Sequence, residues 1–152
     1  MLEIMDGTGR VLYQHDPEDE QTLAAALEAA IEEGVDLRGA VFDRADLRDT
    51  QADGGMLERA SFRGALLRDA SFEDALLQGA SFEGAEVSGA NFEGADLRAA
   101  SFKQAALHGI NFEDARLDAA DLSGARGSGV NFERSVAPGL QLTNARFTGS
   151  NF

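Results

Sequence analysis

The sequence predicts an all-β solenoid of about six four-sided coils, preceded by a small cap made of a β-hairpin and an α-helix. Three observations predict this fold. A five-residue repeat runs without interruption through residues 35–152. Within it, the large apolar residues recur with a longer period of four repeat units. Residues 1–34 lack the repeat and carry hairpin and helix signals instead, so we expect two parts, 1–34 and 35–152.

The five-residue unit has a fixed pattern of apolar positions. Written from Val35, the third position (the centre) is Leu, Phe or Val in 21 of 24 units, and the first is mostly Ala. Residues two apart in an extended chain point to one face, so these two positions face inward together. The next Ala lies three residues beyond the centre, so the chain must turn a corner in every unit. A helix is excluded, because five residues advance it about 140° past a full turn.

The longer period predicts the number of sides. Between residues 62 and 117 the centres mostly alternate Phe and Leu, so three sides would stack Phe on Leu, whereas four stack like on like. The position before the centre has the same four-unit period, with asparagine at 91, 111, 131 and 151 and serine at 61, 81 and 101. We expect both sets to form hydrogen bonds from coil to coil.

Units such as ADLRD, ANFEG, ADLRA and ADLSG match the pattern A-[DN]-L-x-x, and the chain therefore resembles the pentapeptide-repeat family over about three quarters of its length. The resemblance implies a right-handed quadrilateral β-helix. Six coils spaced about 4.8 Å apart would form a rod about 29 Å long. The family includes quinolone-resistance and self-immunity proteins that protect DNA gyrase. The best studied Gram-negative resistance proteins need projecting loops, which this sequence lacks.

The N-terminal residues carry the signals of a hairpin followed by a helix. We expect strands at 2–5 and 10–14 around the turn formed by residues 6–9. Asp16 resembles an N-cap with Pro17 at the first helical position, and Gly34 suits the C-terminal end, so the prediction is a helix over 17–33. Hairpin and helix should cover the first coil.

The last coil carries no comparable cover. Its apolar residues are Leu140, Leu142, Phe147 and Phe152. Open strand edges invite pairing, so we expect an end-to-end homodimer about a two-fold axis. The alternative is a frayed monomer end.

One side of the coil carries a column of acidic residues. The formal net charge is −14, of which residues 35–152, with 18 acids and 12 bases, contribute −6. The fourth side is acidic after its centre in five coils, and only Arg134 opposes it. The residues are Asp53, Glu73, Asp74, Glu93, Glu113, Asp114 and Glu133. Stacked like charges repel by roughly 0.9 kcal/mol per neighbour in water. The column is either a mimic of a nucleic-acid phosphate backbone or a solvated, solubilising face.

Two further surface features are open to two interpretations each. The third side carries basic residues among acidic ones, and it is either a mixed-charge surface or a basic recognition stripe. The basic residues are Arg48, Arg68, His108, Arg126 and Arg146. Met56 and Leu76 occupy outward positions in adjacent coils, where Asp, Asn or Ser would fit the pattern. They form either a small apolar partner site or scattered surface apolar residues.

The sequence gives no support for catalysis. It has no Cys, its histidines His15 and His108 lie far apart, and no phosphate-binding loop, dinucleotide fingerprint or metal-ligand spacing occurs. We therefore expect no enzyme, no cofactor and no metal. An acidic protein repels nucleic acid and anionic membranes. No apolar run could span a membrane and no signal peptide is evident, so we expect a cytoplasmic protein, with export as an effector left open.

Two functional hypotheses remain. The first is a non-catalytic acidic scaffold that binds an unidentified protein. The second, which the family resemblance implies, is a DNA mimic that binds or protects a type II topoisomerase such as DNA gyrase.

Overall fold

A computed structural model describes residues 1–16 and 22–152, and it begins with the predicted hairpin. Strand β1 (Leu2–Met5) pairs antiparallel with strand β2 (Val11–His15). The Asp6 carboxylate closes the turn by accepting hydrogen bonds from the main-chain N–H groups of Thr8, at 2.9 Å, and Arg10, at 3.1 Å. This local pairing explains why the short segment folds back at Asp6.

Helix α1 spans Leu23–Glu32, which is shorter than the predicted 17–33 within the part described. Its N-cap is Thr22, whose hydroxyl accepts a hydrogen bond from the Ala25 N–H at 3.1 Å. The choice of Asp16 as N-cap was therefore wrong, because a threonine nearer the apolar stripe satisfies the free N–H. Pro17 and the rest of the predicted first turn, 17–21, lie outside the described residues.

The hairpin and α1 both contact the first coil. The Met5 carbonyl accepts a hydrogen bond from the Val41 N–H at 2.9 Å. A Glu28 carboxylate oxygen accepts one from the Gln51 N–H at 2.8 Å. These partners satisfy edge N–H groups that would otherwise face an absent preceding coil. Ile4 and three residues of α1 also join the apolar core of the repeat.

Units that are four apart in sequence pair in parallel throughout the repeat. Isolated bridges join Val41 to Ser61, Ser61 to Ser81, and so on around the coil. The same offset joins strand β3 (Arg126–Ser128) to strand β4 (Arg146–Thr148). Each coil therefore contains four five-residue units, which confirms the predicted period. We number the four faces by their units in the first coil, which begin at positions 35, 40, 45 and 50, and every later coil repeats the same order.

The corners occupy one fixed position of the unit. Every fifth residue from Gly39 to Gly149 has a φ between +54° and +76°, and eleven of these residues are not glycine. At most corners the next unit's first residue donates to the centre's carbonyl in a tight turn, as Ala65 does to Phe62 at 3.1 Å. The repeat predicts a corner in every unit, and the structure assigns it to the second residue after the centre.

Phenylalanine columns fill the interior of the second and fourth faces. Phe62 and Phe82 stack with ring centroids 4.9 Å apart, and Phe72 and Phe92 stack at 5.1 Å. The two columns meet edge to face, with Phe82 and Phe92 at 5.4 Å and 88°. Both arrangements suit the aromatic quadrupole. The centre residues from Leu37 to Phe132 are buried, so the solenoid has a filled core rather than a channel.

Candidate functional site

The predicted acidic residues lie together on the fourth face. Parallel bridges run along this face from Gln51 through Ser71 and Asn91 to Asn131. Because each bridge aligns equivalent units of successive coils, the carboxylates that follow the centres form one column along the rod. This column and its neighbours are the predicted residues Asp53, Glu73, Asp74, Glu93, Glu113, Asp114 and Glu133.

The charge of the repeat is segregated onto that face. The first face carries four acids and four bases, the second three of each, and the third four of each. The fourth face carries seven acids and one base. The whole net charge of −6 in residues 35–152 therefore belongs to one face, while the other three are balanced.

An asparagine ladder supports the acidic column. The Asn111 side-chain amide donates to the Asn91 carbonyl oxygen at 3.1 Å, and Asn131 donates to Asn111 at 3.0 Å. The Asn111 carbonyl oxygen also accepts from the Glu113 N–H at 3.1 Å. The same amide lies 3.4 Å from a Glu93 carboxylate oxygen. Asn91, Asn111 and Asn131 each donate toward a carboxylate of the preceding coil, which offsets repulsion between the acids. Asn151 donates to Asn131 at 3.4 Å, so all four residues take part in the predicted ladder.

The serines of the second face do not form the predicted ladder. The Ser61 hydroxyl donates to the Asp43 carboxylate instead of to Ser81. The Ser101 hydroxyl oxygen is buried and has no hydrogen-bond partner among the described residues. Asp43 belongs to the preceding coil, so this serine does bond from coil to coil, through a carboxylate rather than through a second hydroxyl. The prediction of hydrogen bonds between coils is therefore confirmed for Ser61, whereas the serine-to-serine ladder is not formed among the described residues.

Arg134 partly neutralises one end of the acidic face, where it opposes three acids. Its guanidinium contacts Asp114 at 2.9 Å, Glu133 at 3.3 Å, and Glu113. The hydrogen bond from this guanidinium holds the pKa of Asp114 below its ordinary value. Within residues 1–16 and 22–152, the acids of this face without an ion pair are those of the first three coils: Asp53, Glu73, Asp74 and Glu93.

Glu28 of helix α1 extends the acidic face at its N-terminal end. It reaches the fourth face through its hydrogen bond with the Gln51 N–H, where a preceding coil would supply a carbonyl. Sequence reasoning assigned this glutamate to the capping helix only. No spacing rule relates residue 28 to residue 51, so only the folded cap reveals the contact.

The last coil exposes part of its apolar content. Leu142 is 40 % exposed and Phe152 is 73 % exposed, although Phe152 stacks on Phe132 at 4.7 Å. Leu140 and Phe147 are partly buried. The equivalent centres in the middle coils are fully buried, so the last coil presents an apolar end surface.

The two residues of the predicted apolar patch lie directly opposite each other. A parallel bridge joins Met56 to Leu76 on the first face. Leu76 is 37 % exposed and Met56 is partly buried. The next residue along this column is Asp96, so the patch consists of two side chains.

In the described part of the chain, no three His, Cys, Asp or Glu side chains converge as metal ligands would. No helix described here is long and apolar enough to cross a bilayer.

Comparison with known proteins identifies relatives of the repeat. A family model described as pentapeptide repeats matches eight copies, within residues 24–55, 56–94, 75–114 and 95–126. Among solved structures, the pentapeptide repeat protein Rfr23 from the cyanobacterium Cyanothece 51142 is 29 % identical, with a TM-score of 0.59. That match covers 63 % of this chain and 64 % of Rfr23.

A second solved structure is trypsin-treated QnrB1 carrying R167E, a plasmid-mediated fluoroquinolone resistance protein. It is 24 % identical, with a TM-score of 0.64, over 72 % of this chain and 57 % of QnrB1. At this identity the match shows a shared fold alone. The chain therefore spans less than two thirds of either structure. A search of curated proteins finds no match.

Proposed function

The chain belongs to the pentapeptide-repeat family, and on this premise we propose that it is a non-catalytic scaffold whose acidic fourth face binds a basic surface of another protein. The observation that carries the proposal is charge segregation. Three faces balance their acids and bases, whereas the fourth holds the entire net charge of the repeat. Acids needed only for solubility could be spread over all four faces.

The acidic face is suited to binding because its geometry is fixed before the partner arrives. The Asn111 amide and its neighbours in the ladder hold the carboxylates in register. A preorganised row of charges loses little side-chain freedom on binding and steers a basic partner during approach. Glu73, Asp74 and Glu93 carry no competing ion pair among the described residues, so we assign the main contact to them.

The alternative is a DNA mimic that binds or protects a type II topoisomerase such as DNA gyrase. The spacing of charges along the fourth face supports this alternative. From the first to the fifth coil the fourth face extends about 19 Å, which gives about one net charge per 3 Å. A single DNA strand carries one phosphate per about 3.4 Å. The fold shared with a fluoroquinolone resistance protein supports considering this partner.

Purified gyrase distinguishes the two functions. We would measure pull-down and supercoiling with the wild type, with Glu73→Lys/Glu93→Lys, and with Glu83→Lys/Glu86→Lys as a control. The control changes the charge equally, on the second and third faces. Salt-sensitive binding that displaces DNA, and that only the first variant loses, supports the mimic. Absence of binding at micromolar protein discards it.

The scaffold proposal is then tested by capture from cell extract with the same three proteins. We expect partners that the wild type and the Glu83→Lys/Glu86→Lys control both retain and that Glu73→Lys/Glu93→Lys loses. Identical capture by all three proteins would overturn the assignment of the fourth face as the binding surface.

We further propose that the apolar end surface, Leu140, Leu142, Phe147 and Phe152, pairs with that of a second copy about a two-fold axis. Its support is the exposure of Leu142 and Phe152 at 40 % and 73 %. Light scattering should give a dimer for the wild type and a monomer for Leu142→Glu. Val136→Glu is the control, because Val136 is 51 % exposed on the outside of the same coil. A monomeric wild type would contradict the proposal.

The remaining assignments belong to the same proposal. Residues 1–34 act as the cap and residues 35–152 as the β-helix, whose right-handed sense follows from family membership. Met56 and Leu76 supply a secondary apolar contact beside the acidic face. A cytoplasmic setting is consistent with a sequence that contains no cysteine and needs no oxidising compartment.

A further inference from the structure

The third face carries two arginines that lie directly opposite each other. Arg126 in β3 and Arg146 in β4 are paired residues of the parallel ladder. Neither forms an ion pair with any residue in the described ranges. Like charges facing each other across a ladder destabilise it, so this pair needs an explanation in a protein with a net charge of −14.

Acids and bases are separated along the third face. All four acids of this face lie in its first three coils, at residues 46, 49, 69 and 86. The last three coils carry His108, Arg126 and Arg146 and no acid. On the adjoining second face, Asp121 is already engaged by Lys103 at 3.1 Å. On the adjoining fourth face, Glu113, Asp114 and Glu133 are engaged by Arg134, and no ion pair joins them to Arg126 or Arg146.

The arginines line a groove at the corner between the second and third faces. The groove has a volume of about 730 Å³, and its other polar side chains are Gln104, His108 and Asn144. Gln104 and Asn144 occupy the same left-handed corner position, with φ of +58° and +59°, and lie two coils apart along the rod. Their amides add hydrogen-bond donors beside the two guanidinium groups.

We propose that this groove binds a small dianion of the phosphate class, as inorganic phosphate or as the phosphomonoester group of a metabolite. Two arginines that are ladder partners in one groove supply two positive charges and several donors in fork geometry, which match the charge and oxygens of a phosphate dianion. Bound phosphate would remove the repulsion between Arg126 and Arg146. A long polyanion is disfavoured, because the field of the whole protein repels it.

Thermal unfolding and isothermal titration with inorganic phosphate test the site. We expect phosphate to raise the midpoint temperature of thermal unfolding of the wild type. The increase should be larger than the one that sodium succinate produces at equal ionic strength. Arg126→Gln and Arg146→Gln should each weaken phosphate binding roughly tenfold or more. Arg44→Gln is the matched control, because Arg44 also lacks an ion pair in the described chain but lies in the first coil. It should bind as the wild type does.

Two outcomes would overturn the proposal. One is an equal response to phosphate and succinate, which would mean that the groove does not recognise phosphate. The other is equal phosphate binding by the wild type and both groove variants.

Without phosphate, Arg126→Gln and Arg146→Gln should unfold no earlier than the wild type, because each relieves the like-charge pair. A lower midpoint temperature for either variant without phosphate would show that the arginines stabilise the coil in the absence of a ligand, which contradicts the repulsion from which the site is inferred. Phosphoserine binding that Arg126→Gln and Arg146→Gln both weaken would assign the site to phosphomonoesters, whereas binding of inorganic phosphate alone would assign it to the free anion.

Discussion

Phe147 lies against the interior space that Gly127 leaves without a side chain. The two residues are partners in the parallel ladder, in successive coils of the third face. A Cβ built on Gly127 would lie 3.1 Å from Cδ1 of Phe147 and only 2.8 Å from both the Leu107 carbonyl oxygen and Cγ2 of Val130. A gap in one coil is therefore filled from the next, and the core stays packed where the repeat pattern fails.

Gly127→Ala should destabilise the protein by about 1–3 kcal/mol, because the added methyl group meets backbone and a β-branched side chain rather than a flexible chain end. Chemical denaturation measures the change. Gly7→Ala is the control, since a Cβ there meets nothing within 4 Å. Equal stability of Gly127→Ala and the wild type would show that the atoms around position 127 shift to accommodate the methyl group at no cost in free energy.

Phe92→Ala should lower the free energy of unfolding by about 3–5 kcal/mol. Phe92 is fully buried; its ring stacks on Phe72 at 5.1 Å and packs at a tilt of 31° against Phe112 at 5.6 Å. Phe152→Ala removes the same atoms from a site that is 73 % exposed, so it should cost much less. A loss below about 1 kcal/mol for Phe92→Ala would contradict its place inside a four-sided coil.

Asn111→Ala should cost about 1–3 kcal/mol, because it leaves the Glu113 N–H and the Asn91 and Asn131 amide groups short of partners. Ser101→Ala is a matched control at the same position of the unit on the second face. The Ser101 hydroxyl has no partner among the described residues, so its removal should be nearly neutral or stabilising. Comparable losses for the two variants would mean that the asparagine ladder adds nothing specific.

The coil architecture was predictable because it follows from periods that a sequence displays directly. The five-residue spacing requires corners, and the alternation of Phe and Leu selects four sides, which the bridges from Val41 onward confirm. The start of α1 was predicted too early, because an aspartate followed by a proline and acids is the sequence pattern from which a helix N-terminus is predicted, whereas the N-cap of α1 is Thr22. Local backbone geometry determines that Thr22 is the N-cap, and the composition of the segment does not reveal this choice.

The charged surfaces were only partly predictable. The acidic column follows from the four-unit period, but the ion pairs that Arg134 forms at one end of it depend on side-chain reach across coils. Serine and asparagine looked equivalent as ladder residues, yet only the asparagines bond to each other, whereas Ser61 bonds to an aspartate of the preceding coil. Similarly, Arg126 and Arg146 were visible in the sequence as bases. Their lack of a carboxylate partner within the described chain appears only once the faces are assembled.

Removing the guanidinium of Arg134 should raise the pKa of Asp114 toward its ordinary value of 3.8, because the hydrogen bond from Arg134 is what lowers that pKa. A carboxyl group whose pKa is lower in the folded state than in the unfolded chain stabilises the fold at pH values above its unfolded-state pKa. That contribution is lost as the pH falls through the folded pKa. Arg134→Gln should therefore be less stable than the wild type above about pH 4, and the difference should vanish in stronger acid.

NMR titration of the Asp114 carboxyl group, together with unfolding on either side of that range, measures both effects. Arg63→Gln is the control, because Arg63 pairs with Glu83 at 3.0 Å on the second face and should leave the pKa of Asp114 unchanged. If Asp114 titrates identically in the wild type and in Arg134→Gln, the ion pair is not formed in solution. The free acidic face would then reach to the fifth coil, and the partner contact would include Glu113 and Glu133.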